Sequence, residues 1–150
     1  MNKNKLHALD KCLAGEWSLL EGAQYCGMIP SRFRDFCWRS VKAKVAYRDG
    51  GLCRYCGQPG TDVHHRRARG MGGTWDSISV MMPGLILLCR KDHSYYETHP
   101  DLAREVGLRL DAGDDPVTVP VTDIFGSRVF LEVDGTVVHF GQIPGQEELS

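Results

Sequence analysis

Three cysteines and their neighbours place the strongest constraint on how this chain can fold. Cys53 and Cys56 form a CxxC pair, and Cys89 follows 33 residues after Cys56, at the end of the apolar run LILL. Zinc takes four ligands from sulfur, imidazole or carboxylate, so either Asp92 or His93 could complete a set begun by three thiolates. We therefore expect the chain to fold so that these distant segments meet at a metal.

The remaining cysteines and the hydropathy pattern argue against an exported, disulfide-bonded protein. Cys12, Cys26 and Cys37 lie in a helical-looking third of the 150-residue chain and have no regular mutual spacing. The basic N-terminus has no apolar segment behind it, and the run GLILL is far too short to cross a bilayer. The sequence predicts reduced thiols in a soluble, cytoplasmic protein without a membrane partner.

Charge is distributed unevenly along the chain, although the net charge is only −1. Residues 31–70 contain ten arginines and lysines against three aspartates, whereas residues 111–150 contain one arginine against eight acidic residues. A basic middle is typical of a segment that contacts a polyanion, and an acidic end is typical of a solvated surface. Ordinary charged faces are the alternative interpretation.

Residues 1–48 are predicted to be helical. Ser18 followed by Glu21 is the capping-box pattern at a helix start, and Gly27 is suited to its end. Pro30 suits the first position of the next helix, whose apolar residues recur at helical spacing.

This segment also has features of a helix-turn-helix. Ala23 precedes the turn residue Gly27 by four positions, and small residues at these places let two helices approach. The recognition helix would begin near Pro30 and present Arg32 and Arg34 to DNA. A plain helical cap on the core remains the alternative.

The rest of the chain mixes short strands with helix. Apolar and β-branched runs predict strands at 62–65, 85–89, 116–121, 127–133 and 136–140, the last two joined by an Asp-Gly turn, with helix from residue 90 restarting at Pro100. We expect an α+β protein in three parts: a helical segment at 1–48, a metal-containing core at 49–110, and an acidic β-hairpin extension and tail at 111–150.

Four motifs in the core, in this order and spacing, are specific as a set: CRYCG, DVHHRRARGMGG, LILLCRKDH and ETHPDLAREVG. They resemble the HNH endonucleases of the ββα-metal fold, above all the small members encoded by phages. The resemblance covers about residues 49–110. It implies a ββα-metal nuclease core with a structural zinc knuckle, and a metal-dependent enzyme that hydrolyses DNA phosphodiester bonds with low sequence specificity.

The resemblance also implies roles for individual residues. His65 would be the general base, while His64 and His93 would hold a divalent cation such as Mg²⁺, Mn²⁺, Ni²⁺ or Zn²⁺. Structural zinc would be bound by Cys53, Cys56, Cys89 and Asp92, or by His93 in place of Asp92. Successive residues of a strand point to opposite faces, so His64 and His65 can share a site only where the strand ends.

Arginines beside these histidines suggest contacts to the DNA backbone. Arg66, Arg67 and Arg69 are expected to bind phosphates, with solvated loop arginines as the alternative. By resemblance, the partner is DNA, phage packaging (terminase) proteins are conceivable partners, and the protein would work in the cytoplasm of a bacterial host.

One position departs from the family. Its central Asn, which braces the general-base histidine, corresponds to Gly84 here, so either Asp76, Ser77 or Ser79 supplies the bracing or it is absent and the activity is reduced. Two rival functions follow: a weakened or non-catalytic zinc module that binds nucleic acid, and a structural zinc domain that binds other proteins.

Overall fold

The computed structural model describes residues 2–68 and 75–140, which form a mixed α+β protein and confirm the expected fold class at that level. The helices are α1 (Lys3–Leu13), α2 (Leu19–Cys26), α3 (Pro30–Arg48), α4 (Arg90–Thr98) and α5 (Pro100–Glu105). The strands are β1 (Asp62–His65), β2 (Leu85–Leu88), β3 (Val121–Thr122), β4 (Arg128–Leu131) and β5 (Val137–His139). Two short 3-10 turns, Ser77–Val80 and Met82–Gly84, lead into β2.

Local signals start and end the N-terminal helices as the sequence predicts. The Ser18 hydroxyl accepts a hydrogen bond from the backbone N–H of Glu21 at 3.2 Å, and the Glu21 carboxylate accepts one from the N–H of Ser18 at 2.7 Å. Gly27 ends α2 with φ of 63°, a left-handed conformation that costs glycine little. Pro30 is the first residue of α3.

The three N-terminal helices pack onto the centre of the protein. One stripe of α3, formed by Phe33, Cys37, Val41 and Val45, is completely buried. These side chains share one apolar cluster with Leu85 and Leu87 of β2 and with residues of α1 and α2. The predicted boundary after residue 48 therefore does not interrupt the core.

Strand β2 lies between two apolar clusters. It pairs antiparallel with β1, so that Asp62 lies opposite Leu88 and His65 opposite Leu85. All four β2 residues are buried: Leu85 and Leu87 join the first cluster, while Ile86 and Leu88 join a second cluster. This alternation follows from the two-residue period of a strand. A two-stranded antiparallel hairpin followed by α4 thus forms the centre of the molecule.

A buried ion network ties the end of α3 to this centre. The Asp49 carboxylate accepts hydrogen bonds from Arg48 at 2.7 Å, from Arg54 at 2.9 Å and from the backbone N–H of Leu87 at 2.9 Å. Its side chain is inaccessible to solvent, and these hydrogen bonds offset the free-energy cost of burying the charged carboxylate. The loop that carries the CxxC pair is fixed by the same carboxylate.

The C-terminal part forms a three-stranded antiparallel sheet in the order β3-β4-β5, and the predicted hairpin is present as β4 and β5. The strand predicted at 116–121 is wrong except at Val121, because residues 116–119 form a turn. Asp115 holds this turn by accepting from the N–H groups of Val117 and Thr118. Residues 141–150 lie outside the described chain.

None of the helices within residues 2–68 and 75–140 is both long enough and apolar enough to cross a bilayer.

Candidate metal centres and their cleft

The three predicted cysteine ligands meet beside the start of α4. Cys53 and Cys56 lie in the loop after α3, and Cys89 caps the N-terminus of α4, where its Sγ accepts a hydrogen bond from the N–H of Asp92 at 3.4 Å. The Cys53 Sγ lies 3.2 Å from Asp92 Oδ2, and the Cys56 and Cys89 sulfurs lie 3.7 Å apart. Ligand atoms of all four residues fall within 4.8 Å of one another. This cysteine cluster can hold a metal ion.

The donor set of the cysteine cluster suits zinc, which accepts three thiolates and one carboxylate in a tetrahedron. Burial raises the pKa of the Cys53 thiol above its ordinary value. Burial acts to raise the pKa of Asp92 as well, but hydrogen bonds from the three thiols outweigh it and lower that pKa. The Cys53 thiol lies within hydrogen-bonding distance of the Asp92 carboxylate, and a bound cation would replace the proton shared there.

The structure separates the two candidates for the fourth ligand. Asp92 joins the cysteines, whereas His93 belongs to a second group of potential ligands together with His64 and Glu97, whose ligand atoms also lie within 4.8 Å of one another. The two groups begin at adjacent residues of α4. A single helical turn can therefore serve two metal centres.

His64 and His93 of this histidine cluster come from β1 and α4, and their ring centroids are 5.2 Å apart. The Nε2 of His64 lies 2.6 Å from the carbonyl oxygen of Leu108 and therefore carries the proton, which leaves Nδ1 with its lone pair. Burial lowers the pKa of His64 and keeps the ring neutral. A neutral imidazole with one nitrogen fixed as a donor is the form that binds a metal.

Glu97 is a site residue that the sequence analysis missed. Its Oε1 lies 3.1 Å from Nε2 of His93, one turn earlier on the same helix. Residues four apart on a helix share a face, so a search for acidic or imidazole partners at this spacing from His93 could have found it. Two imidazoles and a carboxylate form a ligand set that divalent transition metals accept.

His65 is the last residue of β1 and faces the same cleft as His64. The cleft has a volume of about 840 Å³, and His64, His65, His93 and Glu97 all line it. Because the strand ends at His65, the alternation of strand side chains does not separate the two histidines. The expected geometric conflict is therefore absent.

Contacts with Ser79 and Trp38 orient the His65 ring. Its Nε2 lies 3.3 Å from the carbonyl oxygen of Ser79, and the ring stacks on Trp38 of α3 with centroids 5.0 Å apart and planes inclined by 19°. Donation from Nε2 to a carbonyl leaves Nδ1 as the basic nitrogen. Of the three bracing residues considered, Ser79 therefore provides a contact, through its main chain.

Gly84 itself is buried at the end of the second 3-10 turn, and its carbonyl accepts a hydrogen bond from the N–H of Arg66 at 2.9 Å. The main chain at this position thus fixes the end of β1, where the family is expected to use a side chain. Structure at Gly84 is consistent with bracing through backbone groups.

Arg66, expected to bind a phosphate, makes its hydrogen bonds inside the protein. Its side chain is completely buried, and its guanidinium donates to the carbonyl oxygens of Gly107 (2.7 Å), Pro83 (2.8 Å), Pro116 (2.9 Å) and Val119 (2.7 Å). Burial lowers the pKa of Arg66 to about 10, so it remains a cation near neutral pH. Its role is to clamp three segments together.

The other arginines predicted to contact phosphates lie in different environments. Arg67 is half-buried outside the cleft lining, and its Nη2 donates to the carbonyl of Asp114. Arg69 lies outside the described residues. Arg32 is exposed on the first turn of α3, and Arg34 lines the cleft with its guanidinium 4.5 Å from the ring centroid of Trp75.

Sequence analysis did not identify Arg109, which is half-buried and lines the cleft with Arg34. No local motif marks it, because it lies between α5 and β3 and reaches the cleft only through the fold. Arg34 and Trp38 likewise show that α3, for which a recognition helix and a plain helical cap were the two alternatives, forms a wall of the cleft.

No protein-family model, curated protein or solved structure matches this chain. The two ligand clusters and the cleft are therefore the basis for proposing a function.

Proposed function

We propose that the chain is a metal-dependent endonuclease of the HNH type, which nicks or cleaves DNA by hydrolysing phosphodiester bonds with low sequence specificity. One observation carries this proposal: His65 and a separate cluster of potential metal ligands, formed by His64, His93 and Glu97, line the same cleft. In phosphodiester hydrolysis, a general base activates the attacking water and a nearby cation stabilises the negative charge that develops on the phosphate.

In this proposal His65 activates water. Its Nε2–H is engaged by the Ser79 carbonyl, so Nδ1 accepts the proton of the attacking water. Trp38 keeps the ring plane fixed by stacking against it.

His64, His93 and Glu97 would hold the catalytic cation. When bound, a divalent cation offsets the negative charge that grows on the phosphate and stabilises the leaving 3′-oxygen. Arg34 and Arg109, which also line the cleft, would bind backbone phosphates. Contacts of this kind position DNA without reading its sequence, which agrees with low specificity. The cysteine cluster would carry structural zinc apart from the chemistry.

The proposal is tested by incubating supercoiled plasmid with Mg²⁺, Mn²⁺ or Ni²⁺, with and without EDTA. We expect nicked circles that depend on the metal. His65→Ala should lower the nicking rate by about 10²- to 10⁴-fold, the usual contribution of a general base, while zinc content and melting temperature stay unchanged.

His99→Ala is the matched control, because this histidine is exposed and stacks on Tyr95 away from the cleft lining. It should nick plasmid like the unmodified protein. Undiminished cleavage by His65→Ala would contradict the mechanism.

Gly84 favours a second candidate, a zinc module that binds nucleic acid without cleaving it. Its sequence position lacks the Asn side chain by which the resembled family braces its base. DNA binding that weakens steeply with salt, together with no nicking under any of the three metals, would support this second candidate.

A further inference from the structure

Asp62, the first residue of β1, contacts the histidine cluster formed by His64, His93 and Glu97. Asp62 precedes His64 by two residues, so both side chains project from the same face of the strand. In the hairpin Asp62 lies opposite Leu88, which is followed by Cys89 and α4. Asp62 therefore lies beside the first turn of the helix that carries His93.

The Asp62 carboxylate contacts the ring nitrogen of His93 that does not face Glu97. Its Oδ2 lies 2.8 Å from His93 Nδ1, while His93 Nε2 lies 3.1 Å from Glu97 Oε1. A cation held by His93 Nε2 and Glu97 would use the Nε2 lone pair, and the ring proton would then lie on Nδ1, where the Asp62 carboxylate accepts it. The nitrogen on the side of the other ligands is thus the one able to bind a cation.

Arg90 holds the carboxylate in place from the solvent side. Its Nη2 donates to Asp62 Oδ1 at 3.1 Å, and its Nε lies 2.8 Å from Oδ2. The side chain of Arg90 is 79% exposed, so this ion pair is screened by water and contributes little by itself. Both oxygens of Asp62 are nevertheless occupied, which restricts rotation of the carboxylate.

The two histidines of the cluster are held by different acceptors. His64 donates to the neutral carbonyl of Leu108, whereas His93 donates to an anion. A carboxylate acceptor makes the opposite ring nitrogen a stronger electron donor, and outer partners of this type change metal affinity by roughly ten- to a hundred-fold. We propose that Asp62 is a positioning residue, which sets the tautomer, orientation and donor strength of His93 for a divalent cation bound with His64 and Glu97.

This inference rests on the cation site of the proposed function and not on DNA cleavage, so it is tested without DNA. Mn²⁺ alone is added to the full-length protein with zinc retained in the cysteine cluster, and free Mn²⁺ is measured by electron paramagnetic resonance. Asp62→Asn preserves the side-chain shape but removes its charge. We expect it to weaken Mn²⁺ binding about ten- to a hundred-fold, with unchanged zinc content and melting temperature.

Asp101→Asn serves as the matched control, because this carboxylate is exposed and also pairs with an arginine, Arg104, but lies outside the cluster. It should bind Mn²⁺ like the unmodified protein. Arg90→Gln should change the affinity less than about three-fold, as expected for an exposed ion pair.

A double substitution separates positioning from a general structural effect. If Asp62 acts through His93, adding Asp62→Asn to a His93→Gln variant should weaken Mn²⁺ binding no further. Unchanged Mn²⁺ affinity in Asp62→Asn would overturn the proposal, as would equal losses from Asp62→Asn in the presence and absence of His93. Loss of zinc and fold together with Mn²⁺ would also overturn it, because Asp62 would then be a structural residue.

The outcomes for the two proposals can be told apart. Mn²⁺ binding that depends on Asp62, in a protein that never nicks plasmid, leaves this inference intact and refutes the nuclease. If Asp62→Asn binds Mn²⁺ with normal affinity and the protein still nicks plasmid, the role of Asp62 is refuted and the nuclease proposal remains intact.

Discussion

At the scale of single residues, Arg66 shows that an arginine expected to bind a DNA phosphate can instead form hydrogen bonds in the protein interior. It stands between the histidines and the basic loop in sequence, yet its guanidinium donates to four main-chain carbonyls. Nothing local distinguishes it from Arg67 or Arg69 in the sequence. The carbonyls that receive it come from segments up to 53 residues away.

Substitution of Arg66 is expected to reduce stability strongly. Arg66→Met removes a buried cation and leaves buried carbonyls without donors, each at a cost of about 1–3 kcal/mol. We expect the free energy of unfolding to fall by roughly 3 kcal/mol or more, measured by urea denaturation. Arg32→Met, an exposed change, should alter it by less than about 0.5 kcal/mol. A stable Arg66→Met protein with weakened DNA binding would restore the phosphate role.

At the scale of elements, the sequence predicts helices well and short strands unevenly. The capping box at Ser18 and the proline at the start of α3 are local signals, and both helices begin where these signals predict. The segment 116–121 has the composition of a strand but makes a turn, because two of its carbonyls accept from Arg66. Long-range partners of this kind are invisible to local patterns.

The same limit applies to the candidate site. Ligand types and spacing predicted that Cys53, Cys56 and Cys89 would meet, and the structure brings them together. The choice between Asp92 and His93 was open, since it depends on which face of α4 each occupies. Arg109 reaches the cleft only through the three-dimensional path of the chain.

Helix α3 is expected to be part of the catalytic unit. Trp38→Leu removes the ring that stacks on His65, an interaction of about 1 kcal/mol. We expect kcat for plasmid nicking to fall up to about ten-fold with little change in DNA affinity measured in EDTA. Trp17→Leu, a half-buried tryptophan of the helical segment outside the cleft lining, should leave kcat unchanged. An effect of Trp38→Leu on affinity alone would assign the ring to DNA binding.

At the scale of the whole molecule, the three predicted parts share their cores. The first apolar cluster joins α1, α2 and α3 to β2, and the second joins β2 and α4 to the C-terminal sheet. Cys53 belongs to this second cluster and to the cysteine cluster at once. A metal bound by the cysteine cluster would therefore be coupled to the packing of the C-terminal sheet.

Loss of metal from the cysteine cluster should destabilise the whole protein. Cys53→Ser removes one thiolate and places a hydroxyl at a completely buried position. We expect zinc content to fall and the melting temperature to drop together, as measured by metal analysis and calorimetry. Cys26→Ser, a half-buried cysteine at the end of α2, should retain zinc. Loss of zinc without a change in melting temperature would show that the cluster is not structural.

The Arg66 clamp also has a consequence for synthesis. The ribosome synthesises the chain from its N-terminus, so Arg66 emerges well before Pro116 and Val119, which lie 50 and 53 residues further along the chain. Until Pro116 and Val119 have been synthesised, the Arg66 guanidinium lacks two of its four carbonyl acceptors. The complete set of Arg66 contacts can therefore form only after residue 119 has been synthesised.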